Sequence, residues 1–329
     1  MPEINLARPR VLVLTQPDDV HADRVIGELR ARGTSVARFD LADYPMAATL
    51  TATLTGDRPW RAALRHGETV VDLAEVRGVY YRRPRAFGLP DALKGLEREF
   101  ALAETRRGIG GLLRSLPARW VSHPEKLTTA QYKPLQLTVA RRRGLRVPDT
   151  LVTNDPDAAR AFLRERDRVV YKSLSGRPVA KGARVPQVVM TTEITDEHAA
   201  HLDRVRVTPC LFQEYVKKDH EIRAVVVGRE VFAAAVDSQA SAHTAVDWRF
   251  DAPGLDWSAC ELPEPVARAC VEVVADLGLA FGAVDLIVTP AGDHVFLEVN
   301  GNGQWLWLEE EAGLPIGAAI ANLLAGEGP

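Results

Sequence analysis

GAVDLIVTPAGDHVFLEVNGNGQW, residues 282–305, reads as a β-hairpin that carries carboxylates inside an apolar sheet. The run AVDLIV is followed by the turn chemistry of Pro290, Ala291, Gly292 and Asp293, then by HVFLEVN. With the turn centred between Ala291 and Gly292, facing residues sum to one constant, and Asp285 lies opposite Glu298. Asn300 shares the face of Glu298, because strand side chains alternate with period 2. Opposed residues have Cβ atoms roughly 4.5–5.5 Å apart, and like charges there are destabilising. Acids beside a hairpin are ordinarily solvated or paired with a surface Lys or Arg. Here neither residue type lies within the hairpin, and both acids sit mid-strand among Val, Leu, Ile and Phe. The pattern calls for a cation. Oxygen-only ligands suit Mg²⁺, which takes one or two protein carboxylates and completes its shell with phosphate and water.

A chain of 329 residues exceeds one ordinary domain, so two or three packed units are expected. Apolar residues make up 46% and charged residues 26%, the balance of a globular chain with a large core. A net charge of −3 gives no electrostatic reason to expect nucleic acid or a membrane surface, although ARRRG (140–144) is locally basic. Cys210, Cys260 and Cys270 lack metal-ligand spacing and cannot all pair, which points to free thiols in a reducing compartment. The N-terminal residues lack a signal-peptide core, and no apolar run approaches the ~20 residues that span a bilayer. A cytoplasmic enzyme is expected.

The first segment alternates strand and helix signals: VLVLT (11–15), a helix over 19–33, SVARFD (35–40), a small hairpin through ATLTATL, RAALRHG and ETVVDL, a strand at VRGVYYRR (76–83), and a long helix over 91–117. Such alternation indicates an α/β layer with a largely parallel sheet. GIGG (108–111) falls within the helical segment, so a dinucleotide fingerprint is not expected. A second unit begins near Trp120, with one helix running to Gly144, another over DPDAARAFLRER, and a strand RVVYKSLSG (168–176) returning through PQVVMTTEIT. From Leu211, the segments LFQEYV, EIRAVVVG and EVFAAAVDS join the hairpin as antiparallel strands, with a helix over 263–279 interposed and LPIGAAIANLLAG closing the chain.

No GxxxxGK[ST] loop occurs, so cationic side chains and backbone amides must hold any phosphates. Lys172 ends an apolar strand, where an unpaired ammonium is expensive; it is either an edge lysine reaching for solvent or a phosphate ligand. Gly176 and Gly182 in the adjoining SLSGRPVAKGAR favour the second reading, since they permit turns that aim N–H groups at anions. Lys133 taken alone reads as a solvated helix residue, the usual fate of an isolated lysine.

Lys133, Lys172, Gln213-Glu214-Tyr215-Val216 and Asp285…Glu298-Val299-Asn300 occur in the order that resembles the ATP-grasp superfamily, over roughly residues 120–325. The resemblance implies an α/β (α+β) chain: a Rossmann-like pre-ATP-grasp domain (1–119), a central ATP-grasp subdomain (120–211) and a C-terminal one (212–329). It further implies that Lys133 and Lys172 hold ATP phosphates, that Glu214 and the Tyr215–Val216 backbone hold adenine beside Gln213, and that Glu221 bonds ribose. Asp285, Glu298 and Asn300 would bind two Mg²⁺ ions. Arg223 and Arg249 are candidates for the acyl-phosphate and γ-phosphate, with Lys172 also counted as catalytic. Related polyglutamylating ligases have a DFRSN-like segment where this chain has DWRFD.

VYYRRP (79–84), the segment from Trp120 to Thr153, and EVNGNGQWLWLEEEAGLPI (298–316) are more closely similar to the ATP-grasp maturases that make graspetides, in the actinobacterial type. That resemblance implies activation of Asp or Glu side chains of a ribosomal precursor peptide, with a leader and an acidic, Thr-rich core, to give ω-ester or ω-amide macrocycles. A homodimer is a further option. Arg82 and Arg83 would grip acidic core residues, or else form a surface pair packed on Tyr80 or Tyr81. Trp305 and Trp307 would line the peptide path or pack in the core. Two other readings stay open: a ligase adding amino acids to a protein tail or small molecule, and a nucleotide-regulated binding protein without catalysis.

Overall fold

The computed structural model describes residues 6–7, 10–176, 189–241, 244–249 and 255–326. A four-stranded parallel sheet in the order Val36–Phe39, Val11–Leu14, Gly78–Tyr81, Arg119–Val121 organises the N-terminal third. Val11–Leu14 is wholly buried, as a continuous apolar run must be when both faces of a parallel sheet are covered. Helix Val20–Ala31, capped by the Asp19 carboxylate, covers one face together with the C-terminal helix Ile316–Ala325. Gly78 lets that last helix approach, since a Cβ there would lie 2.5 Å from the Leu324 carbonyl oxygen. Against the other face pack Ile109 and Leu113 of helix Gly95–Arg114 and a second sheet. This sheet holds the expected strands Ala48–Thr53, Arg61–His66 and Thr69–Asp72, with Leu6–Ala7 added in parallel.

The helix expected to run unbroken to Gly144 is two, Pro124–Ala130 and Lys133–Arg142. Pro134 explains the break: it lacks an N–H and is tolerated only in a first turn, so a new helix starts beside it. Strand Cys210–Glu214 also departs from expectation. It pairs with Val169–Lys172 and Thr150–Thr153 in a separate antiparallel sheet, leaving LFQE on the opposite side of the cleft from the hairpin. Gly182 and Pro186–Val188 of the expected returning strand lie outside the described residues; Thr192–Glu193 completes that sheet.

The third sheet is antiparallel, in the order Ser258–Cys260, Glu230–Val236, His220–Val227, Phe281–Val288, His294–Asn300. One face, with Ile222, Ala224, Val226, Val284 and Leu286, buries against helices Lys133–Arg142 and Glu264–Asp276. The other face is divided. Val225, Val227 and Ala283 join the core beneath Trp305 and Leu308, whereas Glu221, Arg223 and Asp285 at the other end face polar neighbours. A short helix, Leu306–Ala312, follows the hairpin where the sequence pattern offered only an aromatic run. Among the described residues, no helix is long and apolar enough to cross a membrane.

Candidate active site

The hairpin places Asp285 directly opposite Glu298, and Ala283 opposite Asn300. The turn, however, is centred one half-position earlier than expected: Val288 pairs with His294, and Leu286 with Phe296. A β-bulge at Leu297 absorbs the difference and restores the Asp285–Glu298 register. The bulge also re-aims side chains. Neighbours Leu297 and Glu298 both line one cavity, and Leu297 packs with Val216 and Ile287 as its apolar wall.

That cavity, about 370 Å³, lies between the central and C-terminal sheets, within the range of a small-molecule site. Lys133, Lys172, Gln213, Glu214, Tyr215, Val216, Glu221, Arg249, Asp285, Glu298 and Asn300 all line it. Eleven residues singled out from sequence therefore converge. Arg223 stands one strand behind Asp285 in the same cross-strand row, its Nη1 donating at 2.7 Å to Asp285 Oδ1 and its Nη2 at 3.2 Å to the Gln304 carbonyl.

Each carboxylate of the hairpin already has a basic partner. Lys133 Nζ donates to Glu298 Oε2, and Arg223 to Asp285. Burial alone would raise the Glu298 pKa, but Lys133 and Lys172 hold it well below the usual range. Asp285 moves the other way, because desolvation and the nearby Glu298 outweigh Arg223. Lys172 is lowered to about 8, chiefly by desolvation, with Glu298 opposing and Lys133 adding to the shift. The cleft thus holds two lysines and two carboxylates in electrostatic tension. A polyanion with a divalent cation relieves both signs at once.

Three residues that the motif reading missed set this geometry. Gln136 donates from Nε2 to the Val299 carbonyl at 2.9 Å and accepts the Val299 N–H at 3.0 Å, acting as a strand partner at the open edge of the sheet. One turn earlier on the same helix, Lys133 is thereby fixed over Glu298. Asp247 grips Arg249 bidentately at 2.8 and 2.6 Å and accepts the Thr191 N–H at 3.1 Å, joining the segment after residue 188 to the cleft. The D-x-R spacing was the available signal. Lys218 donates to buried Glu221 at 2.6 Å and to the Val246 carbonyl at 3.2 Å. Glu221 is raised by desolvation against the pull of Lys218, and it enters any ribose contact already paired.

On the central sheet, Gln213 Nε2 donates to Thr150 Oγ1 at 2.9 Å while its buried Oε1 lacks a protein partner. Tyr215 is held by its N–H to the Arg168 carbonyl and by the Arg168 guanidinium 3.6 Å over its ring. Arg82 and Arg83 stand apart from the cavity lining. Arg82 is buried and donates from Nη1 to the Asn302 carbonyl, in the loop that follows Asn300; Arg83 is exposed. Trp305 is core, edge-on to His21 with centroids 5.2 Å apart, whereas Trp307 joins Trp248 and Trp257 in a cluster whose Trp248 faces the cavity.

The donor set fits Mg²⁺. Among the described residues no group of three or more acidic, His or Cys side chains converges, so an ion would rest on the two carboxylates and the Asn300 amide, with phosphate and water completing its shell.

Residues 10–128 match the family model described as the MvdD pre-ATP grasp domain. The RiPP-associated ATP-grasp ligase of Chryseobacterium gregarium, solved in complex with ADP and a leader and core peptide, is 30% identical, covers 98% of both chains and superposes with a TM-score of 0.90. Macrocyclase MdnC of Microcystis aeruginosa, bound with precursor peptide MdnA, is 32% identical over 97% of this chain and 100% of its own, with a TM-score of 0.83. N-acetylaspartylglutamate synthase A of Mus musculus is 26% identical over 216 residues, 64% of this chain and 54% of that one. The chain spans about half the length of the curated relatives it matches. A shared fold, a matching N-terminal domain and full-length identity of this order place the protein in a family: it belongs to the RiPP-associated ATP-grasp ligases, the enzymes of ribosomally made, post-translationally modified peptides.

Proposed function

We propose that the protein activates Asp or Glu side chains of a ribosomal precursor peptide with ATP and closes ω-ester or ω-amide macrocycles. The observation that carries this reading is the convergence of Lys133, Lys172, Arg249, Asp285, Glu298 and Asn300 on one cleft, in a chain related over its whole length to peptide-bound ligases.

Lys172 and Lys133 bind the ATP phosphates, Lys133 passing from Glu298 to a phosphate oxygen when the nucleotide enters. Glu214 and the Tyr215–Val216 backbone take the adenine edge against the Val216–Ile287–Leu297 wall, Gln213 fixes the strand beneath it, and Glu221 receives the ribose. Asp285, Glu298 and Asn300 would hold the Mg²⁺ ions, two in this reading, which would supply charge neutralisation on the transferring phosphoryl group. A core carboxylate oxygen attacks the γ-phosphorus, the bond to the β-phosphate bridging oxygen breaks, and ADP leaves with an acyl-phosphate formed. A Thr or Ser hydroxyl, or a Lys amine, of the same peptide then attacks the acyl carbon, loses its proton and expels inorganic phosphate. Arg249, oriented by Asp247, and Arg223 stabilise the negative charge of these steps. Arg83, exposed beside the buried Arg82, offers a charge for the acidic core.

The three units follow the expected 1–119, 120–211 and 212–329 with strands Arg119–Val121 and Cys210–Glu214 kept whole in the first and second, and they work in the cytoplasm on a peptide with a leader and an acidic, Thr-rich core. The assembly is a homodimer, supported by an uncovered apolar face on helix Gly95–Arg114. Incubation with ATP, Mg²⁺ and a candidate precursor, followed by mass spectrometry, tests the reading. Loss of one water per crosslink is the expected product. A residue-sized gain would instead assign the chain to amino-acid tailing.

A further inference from the structure

Arg82, at the carboxyl end of strand Gly78–Tyr81, is only 2% exposed. Its Nε and Nη2 form the edge that guanidinium groups turn to carboxylates, yet neither finds a hydrogen-bond partner among the described residues. Asp19 Oδ2 lies 4.0 Å from Nε, but that carboxylate is engaged elsewhere. Its Oδ2 accepts the Thr15 hydroxyl at 2.7 Å, and its Oδ1 accepts the N–H groups of His21 and Ala22. A buried guanidinium so poorly compensated costs stability, and sequences break that rule where function requires it.

What Arg82 does hold is the loop that leaves the hairpin. Its Nη1 donates to the Asn302 carbonyl. The N–H of that same peptide unit, on Gly303, donates to the Asn300 carbonyl at 3.1 Å. The peptide between Asn302 and Gly303 is thus pinned at both ends, and it cannot rotate without giving up the guanidinium. The Asn302 N–H in turn donates to Asn300 Oδ1 at 3.0 Å, an Asx bond that orients the amide and leaves its oxygen one lone pair for a cation. Beyond Gly303, Arg223 Nη2 fixes the Gln304 carbonyl at 3.2 Å. Arg82 is a firm anchor for this chain of contacts, since its own N–H donates to the Leu14 carbonyl of the neighbouring parallel strand at 3.0 Å.

We propose that Arg82 is a positioning residue: acting through Asn302, it orients the Asn300 amide toward the divalent cation, so that the N-terminal sheet sets metal affinity without touching the nucleotide. The inference rests on Asn300 as a metal ligand.

Calorimetric titration of the full chain with ADP across a Mg²⁺ series, beside thermal melts, tests it. Arg82→Met keeps the length of the side chain and removes its charge and its donors. It should raise the Mg²⁺ concentration for half-maximal ADP affinity at least about tenfold, the effect of one lost charged hydrogen bond. The melting temperature should not fall, because an apolar side chain replaces a poorly compensated buried charge, and the half-buried Asn302 can take water on its carbonyl. Arg82→Lys should recover part of the Mg²⁺ response. Asn300→Ala should weaken that response by itself, and adding Arg82→Met to it should change nothing further. Should Arg82→Met not fold, Arg82→Lys carries the same cycle. A wild-type Mg²⁺ response in the Arg82 variants overturns the proposal, as do effects of Arg82 and Asn300 that simply add. An Asn300→Ala protein with an unaltered Mg²⁺ response overturns the metal assignment itself.

Discussion

Arg223 Nη1 lies 2.7 Å from Asp285 Oδ1, its direct neighbour across two antiparallel strands, and both side chains are largely withdrawn from solvent. The pair is a buried ion pair at the back of the cleft, so removing one partner strands the other. Arg223→Met should cost about 3 kcal/mol in urea denaturation, at the lower end for a broken buried pair, and adding Asp285→Asn should recover most of it. An unchanged midpoint in the single variant would show that the pair is not compensating charge.

Gly303 sits where the post-hairpin loop crosses the sheet. A Cβ there would lie 2.5 Å from the Ala283 Cβ and 2.7 Å from Arg223 Nη2. Gly303→Ala should therefore displace the loop that carries Asn300 and Asn302, losing about 1–3 kcal/mol of stability and weakening Mg²⁺-dependent nucleotide binding in titration calorimetry. Wild-type affinity in that variant would rule out a fitted loop.

Much of this site was legible because its chemistry is local in sequence. Opposed acids on a hairpin, a strand lysine before a glycine turn and the Gln213–Val216 run each carry their own pattern. The Leu297 bulge was not legible, since a strand one residue longer than its partner looks like any other strand until both ends are paired. Gln136 was hidden for a similar reason: its role depends on which helix reaches the open sheet edge, 163 residues along the chain. Pro134 did announce the helix break, and helical periodicity on either side of it obscured that signal. Arg82 read either as a grip for acidic core residues or as half of a surface pair with Arg83; tertiary packing, which no local pattern announces, buries it against the Asn302 carbonyl.

Lys172 should make nucleotide binding depend on pH. Its ammonium is lowered to about 8 by burial, and bound phosphates favour the charged form. Affinity for ATP should be level below that value and fall as pH rises through it, approaching about tenfold per unit, with proton uptake on binding. Lys172→Arg, charged throughout, should flatten the profile. Calorimetry in buffers of different ionisation enthalpy reads both effects; constant wild-type affinity to well above pH 8 would contradict them.

His21, buried edge-on against Trp305, is lowered to about 4 by desolvation and the nearby Arg82. The unfolded chain takes up this proton first, near 6.5, so the stabilising preference for the neutral ring is complete above that pH. It is lost as pH falls from 6.5 toward 4, by about 3 kcal/mol in all. The buried Nδ1 has no hydrogen-bond partner to lose. His21→Phe should thus flatten the acid limb of the stability curve. An acid limb identical to wild type would show that other groups set it.

The carboxylate of Glu298, opposed to Asp285 and bound by Lys133, is the point on which the metal–nucleotide reading depends. Glu298→Gln keeps the shape of the side chain and removes its charge. The direct measurement is peptide-dependent ADP release by this variant beside the wild type, with circular dichroism to verify the fold. A folded variant whose ADP release is abolished is expected. Undiminished turnover in a folded Glu298→Gln protein would contradict the assigned site.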